Sequence, residues 1–313
     1  MLQLRSVMNN DVPQRTVVGI GELLWDCFPD RRRPGGAPAN VAFHAAQLGH
    51  RGLICSRIGD DELGRELTDE LRARGLSTDL IQIDDRLPTG RVTVDAGDPA
   101  SPSYVIHPGV AWEAIRFDGA LEAAIGSAAA ICVGTLAQRA EPSRGTILRC
   151  LDAGRDALRV YDVNLRRDGY TREWIENTLR RVQVVKLNDD EVAELSPMLG
   201  AAADPVPFGR DVIRGYGVEL VCITRAEAGC LMITANETVD EPGRPVAIAD
   251  SVGAGDAFTA ALIAARLRGW SLRRTARLAN DVGGTVASRR GAMPDLEREF
   301  AGLLAADATG ERE

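Results

Sequence analysis

At 313 residues, with 45% hydrophobic and 26% charged composition, the chain can bury a full core in one large domain, with or without a small appendage, and needs no staple or partner merely to fold. A formal net charge of -8 and a pI near 5.1 argue against a nucleic-acid surface, because phosphate backbones are held by clustered cations, and make a small-molecule ligand the default. Lys186 is the only lysine, so a phosphate held by a cationic side chain is expected on arginine, and otherwise on backbone amides.

The N-terminus is polar through Gln14 and lacks an apolar signal core, and the longest apolar region, around Ala123 to Val133, is short and glycine-broken; no membrane span and a cytoplasmic location are expected. Short β-branched runs then alternate with helical patterns. Buried strands are predicted at Thr16–Gly21, Leu53–Ile58, Ala129–Gly134, Arg159–Val163, Val182–Leu187 and Glu219–Thr224, the form of βαβ units and of a parallel sheet covered on both faces. Pro38 near its start and Gly49 after its end bracket a helix from Ala37 to Leu48, and Gly75 closes another that begins near Asp61. Two stretches break the alternation. Phe28 to Pro34 is rich in Arg and Pro, and Leu87 to Val110 contains Arg91–Val94 and Tyr104–Ile106, which read as antiparallel strands around Gly97-Asp98-Pro99. They are predicted to form a small sheet that either closes over a ligand or is an ordinary surface hairpin. The expected division is a main domain of 1–27, 35–86 and 114–313, and a small β lid of 28–34 and 87–113. The six cysteines form no C-x-x-C pair and mostly sit in apolar runs, so they read as reduced core residues, and the three histidines have no metal spacing.

Chemistry concentrates in Asp250-Ser251-Val252-Gly253-Ala254-Gly255-Asp256-Ala257-Phe258-Thr259, where a glycine-rich turn runs into a helix that is apolar on nearly every side until Arg266. Gly253 and Gly255 let the backbone approach a ligand. The first-turn amides around Gly253, Ala254 and Gly255, with the helix dipole, form an anion hole for charge developing on a transferring phosphoryl group. Asp256 beside that hole is unfavourable as a phosphate ligand, since like charges repel, but suits a general base facing an attacking alcohol. Capping of the helix is its alternative reading.

This segment resembles the C-terminal signature of the ribokinase-like (PfkB) carbohydrate kinases. Gly35-Gly36-Ala37-Pro38-Ala39-Asn40-Val41-Ala42, with Leu48-Gly49, resembles the N-terminal one. Gly59-Asp60-Asp61-Glu62-Leu63-Gly64 and Asn188-Asp189-Asp190-Glu191 are further matches in order, so the resemblance spans roughly Val17 to Pro294. Gly21–Asp26 and Asp162–Arg166 look most like the fructokinase branch. The family implies an α/β, ribokinase-like three-layer fold with a mostly parallel central sheet and a small β-sheet lid. It implies sugar contacts from Asp26, Asn40 and Asn164, Arg166 near the sugar or the transferred phosphate, Gly35-Gly36 as a hinge, and ATP contacts near Asn188, Thr224, Glu227, Gly229 and Asn280. Asn188 and Glu191 would order Mg²⁺ and its waters. Asp250 and the Val252 carbonyl match a monovalent-cation site, for which K⁺ is the candidate, with the loop near Gly291 closing its other side. Ala226 and Ala228 depart from the pattern, replacing a usual glycine and a commonly polar residue, and Val163 stands where fructokinases usually carry proline.

The expected activity is ATP-dependent phosphorylation of a sugar at a primary hydroxyl, with fructose favoured, and ribose, 2-keto-3-deoxygluconate or a nucleoside as alternatives. A non-catalytic sugar or nucleotide sensor is opposed by the intact Asp256, Gly253, Gly255 and Glu191. A dinucleotide enzyme fails at Leu24, where a third glycine is needed, and no G-x-x-x-x-G-K-[ST] motif is present. The expected partners are the sugar and ATP, not nucleic acid or membrane, and an exposed lid sheet raises a homodimer as the expected assembly.

Overall fold

The computed structural model describes residues 14–95, 103–166 and 169–308. The larger sheet is built from β1 (Thr16–Ile20), β4 (Arg51–Gly59), β5 (Ile81–Asp84), β8 (Ala130–Val133), β9 (Leu158–Asp162), β10 (Val184–Asn188), β11 (Leu220–Thr224), β12 (Cys230–Ile233) and β13 (Thr238–Glu241). Its order is β13-β12-β11-β10-β9-β8-β1-β4-β5, parallel from β11 to β5, with the two strands at the other edge antiparallel. All six buried runs predicted from sequence lie in the parallel part. The hairpin of β12 and β13 lies beyond the predicted strands.

The helices are α1 (Ala37–Gln47), α2 (Glu62–Ala73), α3 (Gly119–Gly126), α4 (Glu141–Ala153), α5 (Arg172–Leu179), α6 (Asp189–Leu199), α7 (Pro205–Tyr216), α8 (Ala254–Leu267), α9 (Leu272–Ala287) and α10 (Glu297–Ala308). One face of the sheet packs on α3 to α7 through residues such as Leu121, Ile147, Ile175, Val192 and Phe208. The other packs on α1, α8, α9 and α10 through Val41, Phe258, Ile263, Leu278 and Phe300. The α8 run from Ala257 to Ala265 is buried throughout, as its nearly unbroken apolar sequence requires, and its many alanines let α1, α9 and the sheet approach closely. A helix so enclosed has a fixed N-terminus.

A second, four-stranded sheet has the order β3-β2-β6-β7, with β2 (Leu24–Cys27), β3 (Arg32–Gly35), β6 (Gly90–Asp95) and β7 (Ser103–Ile106). The predicted β6–β7 antiparallel pair is present; the expected turn at Gly97-Asp98-Pro99 lies outside the described residues. Leu24–Cys27, which the sequence pattern assigns to the main domain, pairs instead with β3 and β6. The chain leaves the large sheet at Gly21, before Asp26, because Leu24 and Trp25 find their neighbours in the small sheet and in α2, where the Trp25 indole donates to the Leu63 carbonyl at 2.9 Å.

Candidate active site

At one end of α8, four segments converge. The Gly35-Gly36 pair joins β3 to α1, and its shape has two separate causes. A Cβ on Gly35 would meet Asp26 Oδ2 at 2.5 Å, and Gly36, at φ +120°, would meet the Glu22 carbonyl at 2.2 Å. The turn therefore places the Asp26 carboxylate beside the start of α1 only because both residues lack side chains. One turn into α1, Asn40 Nδ2 donates to Asp256 Oδ2 at 2.7 Å, while buried Asn40 Oδ1 has no partner among the described residues. A buried oxygen without a donor is costly, and a hydroxyl would satisfy it.

Three carboxyls share this pocket. Burial pushes Asp256 up to about 6; the Asp162 charge adds to the rise, and the Asn40 hydrogen bond, Lys186 and Arg166 oppose it. Burial pushes Asp26 to about 6 against the charges of Arg166 and Arg33, and Glu22 to about 7 against its backbone hydrogen bonds and Arg166. Arg166 is the cation that acts on all three. It follows Asn164, which holds φ +42°, and Leu165, whose amide donates to Glu191 Oε1 at 2.7 Å.

The turn into α8 has the expected form. Gly253 caps the helix at φ +81°, and a Cβ there would come within 2.6 Å of Ala292 Cα. The first intrahelical bond joins the Ala257 amide to the Gly253 carbonyl at 2.9 Å, and the Ala254 amide turns back to Ser251 O at 3.3 Å. The helix itself has no acceptor for the Gly255 and Asp256 amides that follow. Directly behind them lies a group that sequence reasoning misses. Lys186 Nζ stands where a Cβ on Gly255 would come to 3.2 Å, and it donates to Asp162 Oδ1 at 3.0 Å; Thr259 Oγ1 donates to Asp162 Oδ2 at 2.7 Å. The ion pair offsets much of the cost of burying both charges and sets the Lys186 Nζ beneath the helix start, its charge balanced by Asp162. A single lysine inside a buried strand is the available signal. Glu22 and Arg33 are missed as well, the first hidden inside the Gly21–Asp26 motif and the second inside an arginine run that has the pattern of a solvated loop.

The other end is built differently. Asn188 and Thr224 are register neighbours at the carboxyl ends of β10 and β11, where open α/β sheets bind ligands. Asn188 caps α6: its Oδ1 accepts the Glu191 amide at 2.9 Å, and Glu191 Oε2 accepts the Asn188 amide at 2.8 Å. Both Glu191 oxygens therefore hold backbone amides, and burial, opposed by Lys186, raises its pKa. Each oxygen keeps one lone pair, so the pair fits Mg²⁺ held through water rather than by direct coordination. Glu227 is exposed. Gly229, at φ +87°, would clash with Glu241 O at 2.1 Å if it carried a Cβ, and the Asn280 amide donates to the Glu241 and Pro242 carbonyls at 3.3 Å each, so both residues shape the loop at 241–243. Ala226 is forced to φ +47°. Beyond the loop, Val246 packs against Gly284, and Val246 and Ile248 expose apolar surface of a kind that suits a flat heterocycle.

At the expected monovalent-cation position, one oxygen of the Asp250 carboxylate is already filled by two donors. Asp250 Oδ2 accepts the Gly291 amide at 3.0 Å and Arg33 Nη1 at 3.1 Å, and Oδ1 accepts the Val252 amide at 3.1 Å. On the small sheet, His107 Nε2 meets Thr93 Oγ1 of the neighbouring strand at 2.8 Å.

Comparison with known proteins places the chain in one family. The family model for pfkB family carbohydrate kinases matches residues 14–299. A fructokinase of Salmonella typhimurium is 29% identical over 308 residues, covering 90% of this chain and 98% of that one. The structure of a Pyrococcus horikoshii sugar kinase, described as uncharacterized and in complex with ATP, has a TM-score of 0.76 at 28% identity, covering 91% and 99% of the two chains. Aminoimidazole riboside kinase from Salmonella enterica, complexed with aminoimidazole riboside and an ATP analog, has a TM-score of 0.76 at 25% identity over 91% and 99%.

Proposed function

Because the chain belongs to the pfkB family of carbohydrate kinases, we propose that it transfers the γ-phosphoryl group of ATP to a primary hydroxyl of a small sugar, with fructose the favoured acceptor and fructose 6-phosphate the product. The observation that carries the reading is the 2.7 Å bond from Asn40 to Asp256 in the first turn of a buried, glycine-capped helix. Asn40 orients the Asp256 carboxylate. Asp256 accepts the proton of the sugar hydroxyl as that oxygen forms its bond to the γ-phosphorus, the bond to the β,γ-bridging oxygen breaks, and ADP leaves. Charge on the equatorial phosphoryl oxygens meets the Gly255 and Asp256 amides, with Lys186 behind them, in a preorganised site. Magnesium, when bound to the phosphates, would supply charge neutralisation, and Asn188 and Glu191 would order its waters. A potassium requirement is not part of this reading, because the Asp250 oxygens already hold Arg33 and two backbone amides.

Asp26, Asn164 and Arg166 are assigned to the sugar, and Thr224, Glu227, Gly229 and Asn280 to the side of ATP. The small sheet acts as a lid hinged at Gly35-Gly36 and excludes water when the sugar is bound. A homodimer through that sheet belongs to the same reading, and light scattering that shows only monomer removes it. One observation favours a second acceptor: the relative that binds aminoimidazole riboside is nearly as similar as the fructokinase, and a riboside also offers a primary hydroxyl.

The test is ADP release from ATP and Mg²⁺ across fructose, ribose, glucose, 2-keto-3-deoxygluconate, adenosine and aminoimidazole riboside. Turnover highest on fructose supports the reading. Turnover highest on another acceptor keeps the mechanism and replaces the sugar, and ATP binding without turnover on any of them points to a sensor.

A further inference from the structure

We propose that the guanidinium of Arg33 is the resident cation of the loop pair that shapes the anion hole, so that this kinase works without a bound monovalent ion. The position is defined by Asp250. Its Oδ2 accepts two donors, the Gly291 amide at 3.0 Å and Arg33 Nη1 at 3.1 Å, which occupy both of its lone pairs. Its Oδ1 accepts the Val252 amide at 3.1 Å. A metal ion beside Oδ2 would displace a hydrogen bond and face a like charge. The carboxylate's negative charge is already compensated by a cation that the chain carries itself.

The guanidinium is held from several sides. It packs on Gly291, where a Cβ would lie 3.4 Å from Nη1, and Gly291 takes φ +85°, a conformation that glycine adopts without cost. Phe28 lies beneath it at 5.7 Å. Its side chain and that of Asp250 are only 28% and 22% exposed, so solvent screens the pair incompletely. The next residue after Gly291 is Ala292, whose backbone packs against Gly253 closely enough that a Cβ on Gly253 would come within 2.6 Å of it. The loop that Arg33 holds therefore backs the turn that presents the Gly255 and Asp256 amides.

Arg33 also belongs to the small sheet. It stands on β3 opposite Asp26 of β2, and its charge lowers the Asp26 pKa. The cation at the loop is thus delivered by the lid and not by solution, and it links the strand that carries a sugar-facing carboxylate to the loop beneath the phosphoryl site. An ion from solution would stiffen the same loop irrespective of the lid.

The experiment compares potassium chloride with tetramethylammonium chloride at matched ionic strength, for the wild-type chain and Arg33→Met. Two readouts are taken: ADP formation with the best acceptor of the panel, which rests on the kinase reading, and the thermal melting midpoint of the unliganded protein, which does not. The wild type is expected to turn over within about twofold in the two salts and to melt at the same temperature in both. Arg33→Met frees Asp250 Oδ2, so it is expected to turn over at least tenfold more slowly in tetramethylammonium, to regain several-fold in potassium, and to show a saturable rise of its melting midpoint with potassium. A wild type stimulated fivefold or more by potassium, or stabilised saturably by it, overturns the proposal. So does an Arg33→Met chain that matches the wild type in both salts. If no acceptor is turned over at all, the kinase reading fails, and the melting comparison decides this proposal alone.

Discussion

The two ends of the proposed site, one assigned to the acceptor and one to the donor, are built from different materials. At the acceptor end, Asp26, Asn40 and Asp256 act through side chains under the charge of exposed Arg166, and burial holds two of the carboxyls near 6. At the donor end, Thr224, Gly229, Asn280 and the loop at 241–243 form a surface mainly of backbone, where Asn280 spends its amide on two carbonyls and Glu227 points to solvent. Proton transfer needs particular groups at particular pKa values, whereas a triphosphate and a flat ring need shape and amides. Substitutions at the first end should therefore strike the chemical step, and substitutions at the second should change affinity or stability by smaller amounts.

The largest expected effect tests that contrast directly. Asp256→Asn keeps the size of the side chain and removes the proton acceptor, so kcat should fall by about 10²- to 10⁴-fold. Titration calorimetry with a non-hydrolysable ATP analogue should show an unchanged Kd within about twofold. A loss in kcat smaller than tenfold would place the base elsewhere.

Arg166→Met comes next. Its charge opposes the burial that raises Asp256 and Asp26. A base must be deprotonated, so wild-type kcat/KM should fall as pH drops through about 6, the Asp256 value, and level off above it. Without Arg166 the carboxylates lose a stabilising cation and their pKa values rise, so this acid limb should move to higher pH. Losing a charged hydrogen-bonding group to the ligand costs about 10- to 100-fold in kcat/KM. The deficit should be larger at pH 6 than at pH 8.5; an equal deficit at both would make Arg166 a binding group without influence on the base.

The same contrast separates what is legible in the sequence from what is not. The parallel sheet is legible because β1, β4, β8, β9, β10 and β11 each carry a short buried stretch rich in apolar residues, spaced by helical patterns that cover both faces. Gly253-Ala254-Gly255-Asp256 is legible because anion hole and base follow one another in the chain. The Lys186–Asp162–Thr259 cluster is not, since it joins β10, β9 and α8 by packing, and nothing in a local pattern reports which buried strand lies beneath a helix start. The assignment of Leu24–Cys27 to the small sheet is hidden for a related reason: strand partners are chosen by long-range pairing. Arg33 shows the limit most clearly, because a run of three arginines reads as a solvated loop until Asp250 is known to face it.

The smallest expected effect separates strain from function. Among the described residues, two that are not glycine hold positive φ, one at each end of the proposed site: Asn164 at +42° and Ala226 at +47°. Asparagine adopts the left-handed region more readily than other side chains, because its short amide bonds locally, whereas alanine there suffers a Cβ clash costing roughly 1–2 kcal/mol. Ala226→Gly removes that clash and loses part of the gain to the greater freedom of the unfolded chain, which leaves a net stabilisation of about 0.5–1 kcal/mol. For a chain of this size that is a rise of roughly 1–3 °C in Tm, readable by differential scanning calorimetry. The KM for ATP should change by less than about threefold, because the exposed turn already has the geometry a glycine would choose. Asn164→Gly has no comparable strain to relieve and should lower Tm. If the signs are reversed, with Ala226→Gly destabilising and Asn164→Gly stabilising, the donor turn is held by contacts of the Ala226 methyl, and the view of that end as a backbone surface fails.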